Sequence, residues 1–567
     1  MSDGNTIPSN VGTYLARRLI NVGIKEYYAV PGDYNLLLLD QLLLFPELKL
    51  ISCCNELNAG YAADGCARKN GVAAMVVTYT VGGLSAINAI AGAYSDDLPI
   101  IFISGAPNSN DYASDRILHH TIGKMDRRQQ IDMFSHVVAE AVEIRSPGQA
   151  ARQIDHAIVT AMTQKKPVYL DVACNISEEH VSLPIPFQIP PRKPSNAASL
   201  RAAVQTTLTQ WTHAAKPVIV IGVKVRMAEA FDAVIQLADA AGCAVATMPD
   251  AKGMFPEDHP QYIGTYWGPV SSVGAGETVE SADMYIFLGS RFNDYNTTGY
   301  TCLIKKKGLV TANVDRVETP GGEYGCVNMA EFAVALAKVI PRNDASIKAY
   351  TRIFAPEARL AARPAETLLT MRFVHEQVQN LLTPKTALLV ETGDSWFQGQ
   401  TMKLPRGCGY EFQMQYGSIG WSVGAVLGYS LAAQHEGRRV VAMIGDGSFQ
   451  MSAQEVSTMI RYGANPIIVL INNGGYTIEV EIHDGIYNVI KNWDYKKLID
   501  AFCHDDGKAL TICCKTQGEL LEAMEQAKTH PNLVFLELIL DKDDCSKHLL
   551  EWGSRVATAN GRPFVER

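Results

Sequence analysis

The sequence has no C-x-x-C pair, no basic run longer than Lys305-Lys306-Lys307, no low-complexity tract and no apolar run long enough to cross a membrane. Each absence removes a class. Twelve cysteines without clip spacing, among them the vicinal pairs Cys53-Cys54 and Cys513-Cys514, argue against a structural zinc site. Unpatterned thiols in so long a chain point instead to a reducing compartment. The longest apolar runs, PVIVIGV from Pro217 and PIIVLI from Pro466, fall far short of the roughly 18 residues of a membrane helix. The opening stretch MSDGNTIPSNVG lacks the basic and apolar regions of a signal peptide. With 50 Lys and Arg against 59 Asp and Glu the net charge is −9, and no patch of either sign would track a phosphate backbone. The expectation is a cytoplasmic protein whose partners include neither nucleic acid nor a membrane. Charged residues are few, at 19%, against 47% hydrophobic, which excludes a disordered chain or a coiled coil. A length of 567 residues then asks for three or four domains.

Short apolar runs bounded by Gly, Pro or Asn alternate with amphipathic stretches, the pattern of parallel strands joined by crossover helices. Strands are expected at 26–30, 49–54, 73–78, 99–105 and 167–173, and again at 388–392, 438–445, 466–472 and 533–540. Helices are expected over 11–22 and 83–94. The two sets overlay: AAMVVTYT from Ala73 falls on VVAMIGDG from Val440, PIIFI on PIIVL, and PVYLDV on LVFLEL. Two α/β domains of shared topology follow. The proline-rich stretch 183–195 reads as a linker, with a second join near 355–365. Between them KPVIVIG, MYIFLGS and LVTANVD suggest a third parallel-sheet domain. The expected organisation is three α/β domains, 1–190, 191–355 and 356–567, the outer two alike.

The strongest chemical signal is Gly445-Asp446-Gly447, directly after a strand, with Asn472-Asn473 one crossover later. In a parallel sheet both emerge at carboxyl ends of neighbouring strands, where open α/β sheets bind ligands. Asp446 and Asn473 offer hard oxygen donors and the glycines let backbone approach a diphosphate, a set suited to Mg²⁺ completed by phosphate and water. Taken alone, Glu56 at the start of a helix is an ordinary cap. Likewise, the adjacent His119 and His120 read as a loop feature, since no Cys or acidic ligand pattern near them supports zinc.

GDG with NN at this spacing resembles the diphosphate and metal motif of thiamine-diphosphate enzymes. VPGDYN, CCNELNAGYAADGCAR, SGAPN, LHHTIG, FNDYNTTG, ETGDSWF, GSIGWS and NNGGYTIEVEIHDG extend the resemblance over the whole chain, to the pyruvate decarboxylase family of 2-oxo acid decarboxylases. The resemblance implies pyrimidine-binding, central and diphosphate-binding domains, in that order. It implies thiamine diphosphate and Mg²⁺ as cofactors, with non-oxidative decarboxylation of pyruvate to acetaldehyde and CO₂ through a thiamine-diphosphate C2 carbanion, as in ethanol fermentation. The alternative within the family is a decarboxylase of indolepyruvate, phenylpyruvate or another 2-oxo acid.

By the same resemblance Glu56 activates the cofactor through its pyrimidine ring. Asp33, His119, His120 and Glu479 handle substrate orientation and proton transfer, and Ile419 wedges between the cofactor rings. Thr392, Gly417, Ser448, Tyr476 and Ile478 contact the cofactor beside Asp446 and Gly447, and Asp446, Asn473 and the carbonyl of Gly475 hold the metal. Thr78, Tyr295, Trp396, Ile478 and Ile482 bound the substrate pocket, the bulky ones leaving room for little beyond a methyl group. The cofactor is expected between two chains, so at least a homodimer is implied and a tetramer expected. Two positions depart from relatives: Gly474 stands where a larger residue is common, and Ser418 where some bacterial members carry His. The run GVKVRM also lacks the cysteine that substrate-activated yeast-type members carry in this region. Pyruvate kinetics are therefore expected to be hyperbolic, and a Hill coefficient clearly above one at the optimum pH refutes this.

Overall fold

A computed structural model describes residues 7–182, 186–356, 360–504 and 507–564. The expected linker and join therefore lie partly outside the described residues. Three sheets form. The first contains β1 (Glu26–Ala29), β2 (Lys49–Ser52), β3 (Ala73–Val77), β4 (Ile100–Ala106), β5 (Glu140–Ile144) and β6 (Val168–Ala173), all parallel, in the order β2-β1-β3-β4-β6-β5.

The central sheet contains β7 (Pro217–Ile221), β8 (Ala244–Thr247), β9 (Tyr262–Thr265), β10 (Met284–Leu288), β11 (Leu309–Ala312), β12 (Arg316–Thr319) and β13 (Gly322–Gly325). Its order is β13-β12-β11-β10-β7-β8-β9, with β12 alone running against the other strands. The third contains β14 (Thr386–Val390), β15 (Gly409–Glu411), β16 (Arg439–Gly445), β17 (Ile467–Asn472), β18 (Ala509–Cys514) and β19 (Leu533–Ile539), parallel, ordered β15-β14-β16-β17-β19-β18. The first and third orders are the same permutation, and the overlaid strand pairs occupy equivalent places: β3 with β16, β4 with β17, β6 with β19. Every residue of β3, β4 and β6 is buried, as two-sided burial of parallel strands demands.

The outer domains share one core. Ala59, Ala62, Met75 and Phe102 of the first pack in a single cluster with Trp421, Ala425, Ala442 and Phe449 of the third. At its centre the helix Glu56–Asn70 crosses the helix Trp421–Gln434. Glycine permits the contact: a Cβ on Gly428 would lie 1.8 Å from the carbonyl oxygen of Ala62, and one on Gly65 would lie 2.1 Å from that of Ala425. The two helices run in the same general direction: the Tyr61 hydroxyl meets Ser418 just before the second helix (2.6 Å), and Lys69 pairs with Glu436 just after it (2.7 Å), while Asp64 accepts from the indole N–H of Trp421 (2.8 Å).

Arg68, on the same helix, ties all three domains. Its buried guanidinium pairs with Asp64 (2.7 Å), Asp96 (2.6 Å) and Glu411 (3.5 Å) and lies 4.8 Å over the Trp421 ring. Glu411 also takes Arg226 of the central domain (2.7 Å). A buried cation with three carboxylates and an aromatic face has its desolvation offset only while all partners stay in place. Among the described residues no helix is long and apolar enough to cross a membrane, and all twelve cysteines are free.

The crossing makes a direct prediction. Gly428→Ala puts a methyl group on backbone that has no side chain to move aside, so it should cost about 1 to 3 kcal/mol or more. Thermal unfolding should show a lowered midpoint, and an unchanged midpoint would mean that the helices do not meet as closely as described.

Candidate active site

Two separate groups of expected site residues gather at the carboxyl ends of the two outer sheets. On the first sheet, Asp33 follows β1, Glu56 follows β2 and Thr78 follows β3. Asp33 and the histidines, 86 residues apart, are brought together: His119 Nε2 lies 2.5 Å from Asp33 Oδ2, and His120 Nε2 lies 3.3 Å from Oδ1. The His119 ring stacks on Tyr34 (4.7 Å between centroids, 10° between planes). The cap of the Glu56 helix is not Glu56 itself. Asn55 takes that role, its side chain accepting from the Asn58 N–H (2.8 Å). Glu56 is thus spared the capping role, and among the described residues no hydrogen bond or ion pair engages its carboxylate. Gly82 keeps space beside it: a Cβ there would sit 3.2 Å from Glu56 Oε1 and 3.3 Å from a Thr78 methyl.

On the third sheet a cleft is lined by Thr392, Ile419, Asp446, Gly447, Ser448, Asn473, Gly475, Tyr476, Ile478 and Glu479. The turns that follow β14, β16 and β17 deliver nearly all of them, as parallel order requires. Asp446 is buried, and its carboxylate accepts only backbone N–H groups, from Gly447 (2.7 Å) and Gly474 (2.6 Å). Burial pushes its pKa up to about 6, against the pull of those donors. A buried carboxylate in this state is stabilised by a cation. The Asn473 amide nitrogen donates to Thr477 Oγ1 (2.7 Å), which leaves its carbonyl oxygen uncommitted. Gly447 has a steric reason to be glycine, because a Cβ there would lie 2.4 Å from the Tyr476 ring. At Gly445 a Cβ would meet nothing within 4 Å, so the backbone faces open space. These donors fit a hard cation with a diphosphate.

Four expected residues stand away from the cleft wall. Gly417 takes a left-handed conformation (φ 64°) in the loop before Ile419. Trp396 is fully buried, and Tyr295 packs edge-on to Trp552 (5.0 Å) and Trp396 (6.2 Å). The Tyr295 carbonyl accepts from the indoles of both Trp267 (2.7 Å) and Trp552 (3.1 Å). Ile482 packs on the same aromatic cluster. Burial, and next the charge of Glu479, raise the Tyr295 pKa, which places this block close behind the cleft. Sequence reasoning missed Asp394, which lines the cleft while accepting from Gln398 (2.9 Å) and from Ser546. ETGDSWF, at the end of β14, carried the same signal that exposed Asp446.

Among the described residues, none of Asp33, Glu56, Thr78, His119 and His120 lines the third-domain cleft.

Comparison with known proteins fits this division. Residues 9–132, 204–323 and 393–538 match the N-terminal TPP binding, central and C-terminal TPP binding domains of thiamine pyrophosphate enzymes. Pyruvate decarboxylase 4 of Arabidopsis thaliana is 53% identical over 98% of this chain and 93% of its own length. Pyruvate decarboxylase 2 of Oryza sativa subsp. japonica is 53% identical over 98% and 92%. The chain belongs to the pyruvate decarboxylase family of thiamine pyrophosphate enzymes. Within this family, the buried Asp446 at the floor of the cleft is the candidate anchor for the cofactor's diphosphate. Asp446→Asn should abolish Mg²⁺-dependent binding of thiamine diphosphate, read by calorimetry, while circular dichroism stays that of the parent. Retained affinity would remove Asp446 from the anchor.

Proposed function

We infer that the protein decarboxylates pyruvate to acetaldehyde and CO₂ with thiamine diphosphate and Mg²⁺, in the cytoplasm, as a step of ethanol fermentation. The observation that carries this reading is the pairing of a buried, cation-seeking Asp446 cleft with a second, proton-handling cluster at Asp33, His119 and His120, in a chain so similar to pyruvate decarboxylases over its length. Twelve free thiols favour the reducing cytoplasm.

The roles follow from placement. Asp446, Asn473 and the Gly475 carbonyl hold the metal, and Gly445, Gly447 and Ser448 admit the diphosphate. When bound, the cofactor supplies a nucleophilic carbon and an electron sink for the departing CO₂. Glu56, without a competing hydrogen bond, accepts one from the cofactor's pyrimidine. His119 and His120, linked through the Asp33 carboxylate, hold a proton at the substrate side, and Glu479 provides a second carboxyl group from the cleft wall. Ile419 enters the cleft as an apolar wedge, beside Thr392 and Gly417. Behind it Tyr295, Trp396 and Ile482, with Ile478 and Thr78, leave a small volume that admits the methyl group of pyruvate and not an aromatic ring.

Because no first-domain residue lines the cleft of its own chain, a complete site joins two chains, and a pair of such dimers makes the tetramer. Exposed apolar side chains mark both rims: Leu37, Val81 and Ile122 on the first domain, and Met451, Ile486 and Val489 on the third. Singly scattered apolar residues need no explanation, but these flank the two half-sites that must be covered.

Three measurements test this. Pyruvate turnover coupled to alcohol dehydrogenase should require both added thiamine diphosphate and Mg²⁺, and kcat/KM for pyruvate should exceed that for phenylpyruvate; the reverse preference would favour the aromatic-acid reading. Glu56→Gln should lower turnover on the order of 10²-fold or more while leaving cofactor and Mg²⁺ binding largely intact. Refolding Glu56→Gln and Asp446→Asn chains together should restore roughly a quarter of parental activity, since half the dimers are then mixed and each carries one intact site. Two inactive variants that stay inactive when mixed would place the whole site within one chain.

A further inference from the structure

The sequence argues against metal at His119-His120 because no acidic ligand lies near them in the chain. The fold removes that objection. The turn after β1 brings Asp33 to both imidazoles, and one ligand atom from each of the three residues lies within 4.8 Å of the others. The two rings are held to converge. Tyr34 stacks on His119, with its hydroxyl 3.4 Å from Nδ1, so that Nε2 is the nitrogen left for Asp33. His120 takes a left-handed backbone (φ 59°), uncommon for a residue with a side chain, and directs its own Nε2 to the other oxygen of the same carboxylate.

One ligand atom from each residue lies within 4.8 Å of the others, against an edge of roughly 3.3 Å in a zinc tetrahedron. Side chains that are 58%, 35% and 50% exposed, for His119, His120 and Asp33, have room to rotate inward by the ångström or so this needs. Two imidazoles and one carboxylate suit Zn²⁺ or Co²⁺ far better than Mg²⁺, which prefers all-oxygen shells. Three protein ligands leave a fourth position to water.

We propose that Asp33, His119 and His120 form a binding site for a borderline divalent cation, Zn²⁺, whose occupancy reversibly inhibits the enzyme. The ion takes the place of the proton between His119 Nε2 and Asp33 Oδ2, which passes to solvent, and no bond to substrate forms or breaks. Ligated in this way, the three side chains can neither hold nor release a proton. The metal site stands on geometry alone. Its effect on turnover rests on the decarboxylase reading above, so binding and turnover are measured separately.

The test uses holoenzyme with saturating thiamine diphosphate and excess Mg²⁺, which keeps Asp446 and Asn473 occupied. Zn²⁺ is titrated by calorimetry and Co²⁺ by its visible absorption. One ion per chain is expected, and His119→Ala and Asp33→Ala should each weaken it at least roughly tenfold. Both side chains are exposed, so the variants should fold, which circular dichroism checks. Zn²⁺ should lower pyruvate turnover in the parent, and a nitrogen chelator that spares Mg²⁺ should restore it. Equal Zn²⁺ affinity in parent and variants would overturn the site by assigning the ion to other histidines or thiols. Binding lost in the variants with parental turnover untouched by Zn²⁺ would overturn the inhibition. Absence of pyruvate turnover in zinc-free holoenzyme would sink the decarboxylase reading and leave the calorimetric result standing.

Discussion

The contact between the helices Glu56–Asn70 and Trp421–Gln434 is the constraint on which the molecule is built. Glycine at 65, 424 and 428 brings two backbones to a distance that no larger residue permits. That closeness merges the cores of two domains into one and fixes their relative orientation. Arg68 adds charge pairing at one end of the same helix, linking first, central and third domains through Asp64, Asp96 and Glu411. Each outer sheet carries its own group of expected site residues at its carboxyl end.

The division of labour between the halves is physical as well as topological. The third-domain cleft is built on buried backbone turns, with Asp446 held by N–H groups of Gly447 and Gly474 and its carboxyl pKa raised by burial. It is shaped to bind something charged and keep it. The first-domain cluster is exposed, made of one carboxylate and two imidazoles, and positioned by stacking on Tyr34.

Much of this was legible in the sequence where burial is two-sided. The strands β3, β4, β6, β16, β17 and β19 are central and largely apolar, Asp171 and Glu537 apart, so their runs stood out and their internal repeat could be overlaid. The edge strands β5, β15 and β18 were not found, since partial exposure breaks the apolar run, and β15 spans only Gly409–Glu411. The antiparallel hairpin β12-β13 is likewise mostly exposed. Motifs at strand ends located the Asp446 cleft because Gly, Asp and Asn there have few structural duties. The meeting of Asp33 with His119 and His120 could not be read from spacing, because both lie in loops whose proximity only the sheet order decides. Nor could the role of Asn55 as the cap beside Glu56 be weighed before the helix start was placed.

The division of the site residues between the two outer domains has one more consequence. For an enzyme assembled as proposed, a cofactor that touches two chains is also a ligand of their association, binding the pair and not the separated partners. By linkage, each tenfold rise in free cofactor above its dissociation constant stabilises the assembly by about 1.4 kcal/mol per site. Scarcity of the vitamin would then act on quaternary structure as well as on turnover, and dilute, newly made chains would gain both their partner and their chemistry in a single coupled event.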